Sequence, residues 1–156
     1  MKTKASKLTP FLFLIFMAVS VYAGNNKLVP HPTNWLPKDF DSRKTVMLVQ
    51  IYDYRGRYSG EHTKETEQMK AMMAERYHYK FEFATKKEIE ESDKYEDKEK
   101  YRYALKWENQ GQGVDFFILD RKTENAFPRT GIYNSRALVI FEPALNTIVD
   151  RLKSLK

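Results

Sequence analysis

The chain has 156 residues, no cysteine, 27 lysines and arginines against 21 acids, and 14% aromatic residues. That is the length of one domain, with too much apolar and aromatic content for a disordered tail. The lack of cysteine excludes a disulfide scaffold, a thiol nucleophile, a cysteine-ligated metal and a redox dithiol.

Residues 1–10 carry Lys2, Lys4 and Lys7 and no acid; residues 11–19 are an unbroken apolar run, and Val21, Ala23 and Gly24 follow. A basic start, an apolar centre and small residues at the end are the layout of a secretory signal peptide, here residues 1–23 with cleavage after Ala23. The apolar stretch Phe11 to Ala23 is 13 residues, short of the roughly 20 a membrane span needs. No permanent membrane anchor is therefore expected, and export would be periplasmic or extracellular. Cleavage would leave 133 residues with 24 basic and 21 acidic side chains, a charge of +3. So small an excess argues against nucleic acid as a partner.

Residues 24–44 are rich in proline and asparagine and read as a surface leader, pinned by Trp35 and Leu36. Residues 45–156 read as a single α/β domain. Thr45–Tyr52 is nearly continuous in apolar and β-branched residues, the pattern of a central strand covered on both faces. Asp53–His62 is a loop with Gly56 and Gly60. The spacing of Met69, Met72, Met73 and Tyr77 predicts a helix over 63–77. His78–Ala84 alternates, with Tyr79, Phe81 and Phe83 on one face. Strand, helix and strand make a βαβ unit with a parallel pair.

Thr85 and Glu88 form a capping-box pattern that opens a short helix over 86–92. The mixed charges of residues 86–100 suggest a solvated surface; the acids Glu88, Glu90, Glu91, Asp93, Glu96 and Asp97 lack the glycine of a calcium loop. Tyr101–Trp107 alternates, with Arg102, Ala104 and Lys106 on the face opposite the aromatics. A turn at 109–113 pairs it with Val114–Leu119, and Ala126-Phe127 begins a return strand. Ala137–Phe141 reads as a strand, after which Pro143 opens a helix carrying Leu145, Ile148, Val149, Leu152 and Leu155 on one face. One longer helix kinked at Pro143 also fits; strand then helix is favoured.

The expected fold is α/β: a single mixed sheet of four or five strands with helices on its faces, in the order β-α-β-α-β-β-(β)-α. This order, carried by Val46–Asp53, the 63–77 helix, Tyr79–Phe83 and the 114–131 hairpin region, resembles the thioredoxin-like layout. Where that family has its CxxC motif, this chain has Tyr54-Arg55-Gly56-Arg57-Tyr58, so the resemblance implies no redox activity. The turn Asp120-Arg121-Lys122-Thr123 is similar to that of small uncharacterised exported proteins of Bacteroidetes-like bacteria, a resemblance that carries no activity.

Ligands of α/β sheets bind beyond the carboxyl ends of strands. The loop after the first strand is therefore the candidate ligand-binding site, with Tyr54, Arg55, Arg57, Tyr58 and His62 offering aromatic and cationic groups. Asp53 and His62 could instead serve a small hydrolase or transferase as a dyad. The three histidines lack metal-ligand spacing, and no pattern calls for a metal or cofactor. The aromatic and methionine stripes read as core. The expectation is an exported, non-catalytic binding domain whose partner is a protein, a peptide or an envelope component. A structural envelope role, pairing through an open sheet edge after Asp120, is the third possibility.

Overall fold

The computed structural model describes residues 27–28, 36–53, 59–110, 113–128 and 137–155. The chain forms β1 (Lys27–Leu28), β2 (Met47–Ile51), α1 (Ser59–Arg76), β3 (Phe81–Thr85), α2 (Lys86–Glu91), a 3-10 turn at Asp93–Tyr95, β4 (Tyr103–Gln110), β5 (Gly113–Asp120), β6 (Asn125–Pro128) and α3 (Ala137–Ser154). The strands make one mixed sheet in the order β1-β6-β5-β4-β2-β3. β2 runs parallel to both β3 and β4. β5 is antiparallel to β4 and β6, and β1 is parallel to β6. The α/β class and the order of the main elements follow the sequence reading, with β1 as an additional strand supplied by the leader.

Two apolar layers cover the two sheet faces. On one face, Met47 and Val49 of β2, Tyr103, Leu105 and Trp107 of β4, and Phe116 and Ile118 of β5 meet Met69 and Met73 of α1 and the inner stripe of α3. On the other face, Leu48, Ala104, Phe117 and Leu119 meet Ile89 of α2 with Tyr95 and Tyr101. β2 is buried on both faces because it contributes alternate residues to each layer. The methionine stripe and Tyr101, Tyr103 and Trp107 are core, while Tyr79 is exposed and precedes the strand.

Several boundaries and one element differ from expectation. The leader does more than lie on the surface: Leu36 and Phe40 enter the first layer, and Ser42, fully buried, accepts the Tyr77 hydroxyl at 2.7 Å. Trp35 and the signal-peptide segment lie outside the described residues. α1 starts at Ser59, four residues before Thr63. Ala137–Phe141 is not a strand; it is the first part of α3, which continues through Pro143. A helix places Ala137, Ile140, Phe141, Ala144, Leu145, Ile148 and Leu152 on one buried stripe, a burial a five-residue strand could not match. The proline's missing N–H deprives the carbonyl of Val139, four residues back, and Val139 is 49% exposed, on the side that faces water. The strand after Asp120, expected as an open edge, is β6, which has β1 on its outer side; the sheet's outer strands are β1 and β3.

Among the described residues no helix is long and apolar enough to cross a membrane.

Candidate functional site

β2, β3 and β4 run side by side in the same direction. β2 continues towards α1, which packs on one sheet face, and β3 continues into α2 on the other. Connections that part to opposite faces leave a crevice at the carboxyl ends of the strands. A cleft of about 600 Å³ lies there, on the α2 side, between the ends of β2 and β4 and the flank of α2. A second hollow of about 400 Å³ shares Asp53, Lys87 and Glu91 with it and runs round to the capping box of α2.

The alternation of β2 and β4 decides which side chains turn to this side of the sheet. Leu48 and Ala104 belong to the α2-side layer, so Gln50 and Lys106, two residues further along each strand, face the same side. Both are buried: Gln50 is 3% exposed and Lys106 0%. Ile89, the one buried residue of the six-residue α2, covers the apolar part of this face. Beyond it the helix presents Glu90, whose carboxylate accepts the Lys106 ammonium at 2.5 Å. The Glu90 side chain keeps 37% of its surface in water while that of Lys106 keeps 1%. The ammonium also stands 5.8 Å from the Phe117 ring centroid, on the positive-charge-accepting face of an aromatic.

Gln50 is clamped by a reciprocal pair. Its Nε2 donates to the Trp107 carbonyl at 2.9 Å, and the Trp107 indole Nε1 donates to the Gln50 carbonyl at 3.2 Å. Its Oε1 is buried and has no hydrogen-bond partner among the described residues. At the rim, Lys86 and Glu108 pair at 3.0 Å, and Asp53 and Lys87 add one charge of each sign to the lining. The cleft is therefore lined by the Gln50 amide, by the Glu90 carboxylate that balances the buried Lys106, and by a rim of mixed charge. Such groups recognise hydrogen-bonding ligands by position more than by net charge.

Of the residues expected from sequence, Tyr54, Arg55, Arg57 and Tyr58 lie outside the described residues. Asp53, exposed, lines the cleft. His62 sits in the first turns of α1, not in the preceding loop, and stacks on Tyr52 with ring centroids 4.2 Å apart and planes 7° from parallel. Tyr52 packs in turn on Trp107 and donates its hydroxyl to Glu65 at 2.8 Å. Burial and that carboxylate push the Tyr52 hydroxyl well above its ordinary pKa, so it stays protonated. Asp53 lies at the cleft, and His62 lies against the Tyr52–Trp107 aromatic pair.

Gln50, Lys106 and Glu90 were missed by the sequence reading. The usable signal was a glutamine inside an apolar strand and a lysine in register with it on a neighbouring one. Among the described residues no group of three or more histidine, aspartate or glutamate side chains could hold a metal ion. Comparison with family models, with curated proteins and with solved structures gives no match.

Proposed function

We propose that this chain is an exported, non-catalytic binding domain, and that the cleft over the ends of β2 and β4 receives a segment of a protein or peptide partner. The basic, apolar and small-residue layout of residues 1–23 supports export. One observation carries the binding assignment: Gln50, a buried polar side chain, lines the cleft, and Glu90 beside it holds the buried ammonium of Lys106 on the neighbouring strand. A fold needs only apolar residues there. An ammonium withdrawn from water and a carbonyl oxygen without a partner both cost stability, and sites that violate local folding preferences in this way are expected to be functional ones.

The test is selection of displayed peptides on the protein, followed by ¹⁵N–¹H correlation spectra with the selected sequences. Binding at the cleft shifts the resonances of Gln50, Ile51, Lys106 and Trp107 first. Selected peptides that shift only residues remote from the cleft, such as those of β6 or the outer face of α3, would overturn the assignment. So would a failure to select any peptide that binds.

A further inference from the structure

The sheet ends on one side at β3, which has β2 on its inner flank and, among the described residues, no strand on its outer one. We propose that this edge pairs with β3 of a second copy of the chain, antiparallel and about a two-fold axis at Phe81, giving a closed dimer with one continuous sheet. The inference does not rest on the cleft.

The backbone decides which groups of β3 face outwards. The Met47 N–H donates to the Lys80 carbonyl at 3.0 Å, and Met47 lies in register with Phe81. In a parallel ladder this turns the backbone groups of Lys80 and Glu82 towards β2 and those of Phe81 and Phe83 away from it. The next outward N–H, that of Thr85, is taken by the Glu88 carboxylate at 2.7 Å, so the capping box closes the edge beyond Phe83. Edge strands that stay single are blunted by proline, by a bulge or by lysines. β3 reads Phe-Glu-Phe-Ala-Thr, with neither proline nor lysine, and keeps register with β2 over all five residues. Phe81 and Phe83 lie in register with Met47 and Val49 of the first layer, yet are only partly buried. Tyr79, just before them, is 38% exposed. Tyr79 and Phe81 each stand edge-on to Tyr77, and Phe83 stands edge-on to Phe81. The sheet edge is thus an aromatic row beside unspent backbone groups.

Charge complementarity selects the occupant and the register. A two-fold axis normal to the sheet keeps each face on its own side, so every residue opposes one that points the same way. Centred on Lys80 or on Glu82, the axis sets like charges against each other. Centred on Phe83, it sets Glu82 against Ala84 and leaves Lys80 without an acid. Centred on Phe81, it sets Lys80 of each copy against Glu82 of the other, and Tyr79 against Phe83. Phe81 then exchanges both its hydrogen bonds with its own copy, and the lysine–glutamate pairs fall where opposed side chains stand closest. The chain bends at Tyr79, so the ladder centres on Phe81 and the side chains of Tyr79 and Phe83 close its ends. Glu82 already accepts from Lys94 at 2.7 Å, Tyr101 at 3.0 Å and Tyr95 at 3.4 Å. A carboxylate has about four acceptor sites, and 32% of this side chain is exposed, which leaves one site for the second copy's lysine. The other outer strand, β1, is two residues long, too short to extend the array, so the assembly closes at two copies.

Sedimentation equilibrium of the purified protein over a range of concentrations should show a monomer–dimer equilibrium. Hydrogen exchange on the same samples should show the Phe81 amide slowing as the dimer forms. Lys80 is exposed, so Lys80→Glu should keep the fold, checked by circular dichroism, while turning two attractive pairs into repulsive ones. The dimer should weaken about tenfold or more. Glu82→Lys should weaken it likewise, and mixing the two variants should restore it, because one copy then brings only acids to the contact and the other only lysines. A monomer at every concentration overturns the proposal, even if a foreign peptide strand protects the Phe81 amide. A dimer that tolerates Lys80→Glu, or that leaves the Phe81 amide fast, lies elsewhere on the surface and overturns it too. Folded variants that stay monomeric when mixed overturn the register at Phe81. The wild-type measurements and Lys80→Glu decide the matter even if Glu82→Lys fails to fold.

Discussion

Replacing Lys106 by methionine tests whether its buried pair with Glu90 stabilises the fold. Methionine fills the path of the lysine stem with a near-equal apolar volume, a change that cores tolerate for under about 1.5 kcal/mol. The substitution removes one charge-assisted hydrogen bond, worth about 1.5–3 kcal/mol. It also removes the need to hold an ammonium out of water, a penalty of several kcal/mol for an ion this deeply buried. The carboxylate left behind decides the sign. Breaking a pair is costly when it strands a buried charge, but 37% of the Glu90 side chain is already exposed, so it can turn to solvent. The expected result is stability unchanged or raised by up to about 2 kcal/mol. Urea unfolding at neutral pH measures this, and a thermal shift of about 3 °C per kcal/mol should accompany it. A loss of more than about 2 kcal/mol would refute the reasoning. It would make the pair a net stabiliser of the fold.

Three further outcomes follow from the rest of the fold. Arg121, buried at the β5 end, donates to the carbonyls of Tyr101 at 2.9 Å and Tyr95 at 2.6 Å, and burial pulls its pKa down. Arg121→Ala should cost about 2–4 kcal/mol by orphaning both acceptors, and Arg121→Lys should restore little of it, because an ammonium cannot copy the planar fork; urea midpoints of the two variants check this. Asp120 is pushed up by burial, but the Arg102 guanidinium, which grips it at 2.8 and 3.1 Å, outweighs that and holds the carboxyl below its usual range. A lowered folded-state pKa gives stability that is whole above the unfolded value near 3.9 and is lost as pH falls through the folded one. The Arg43 hydrogen bond that holds Asp41 at about 2 acts in the same window, weakened by its exposure to solvent. Melting temperatures should therefore stay level down to about pH 5 and fall below about pH 4. Asp120→Asn should melt lower at neutral pH and show a shallower acid decline; an unaltered decline would assign the acid sensitivity to other carboxylates. Thr85→Ala removes the hydroxyl half of a capping box whose other half is the Glu88 carboxylate on the Thr85 N–H at 2.7 Å. It should cost about 1 kcal/mol, and a change within error would mean that α2 is held by Ile89 alone.

What was legible in the sequence was what local pattern and tertiary packing agree on. Thr45–Tyr52 announced a strand buried on both faces, and β2 is that strand, flanked by β3 and β4. Thr85 and Glu88 announced a helix start, and both halves of the box are made. The failures lie where local preference and burial disagree. Ala137–Phe141 is β-branched enough for a strand, and Pro143 marks a break, but the apolar stripe that continues to Leu152 buries more as one helix against β5 and α1. Residues 59–62 carry no apolar stripe, so the first turn of α1 left no periodic signal. Leu36 and Phe40 fill space under residues far along the chain, such as Tyr103, whose ring lies 4.6 Å from that of Phe40. No local pattern encodes such a contact.

Gln50 and Lys106 escaped for a further reason, which also locates the site. An alternating strand shows which residues share a face, but not which stretch of that face is roofed. β2 passes to α1 and β3 to α2 on opposite sides of the sheet, so on the second side β2 and β4 are covered by Ile89 of α2 with Tyr95 and Tyr101. A helix of six residues is about 9 Å long, enough to lay Ile89 over Leu48 and Ala104 but not to seal the strand ends beyond them. A longer α2 would bury that end under apolar side chains, and a glutamine and a lysine there would only destabilise it. The short helix leaves a cleft at the carboxyl ends of parallel strands, and Gln50 and Glu90 line it. Arg102, at the start of the same strand, sets the contrast: its guanidinium is bound by Asp120 and Asp39 together, so at that end of β4 the charge is spent on holding the fold.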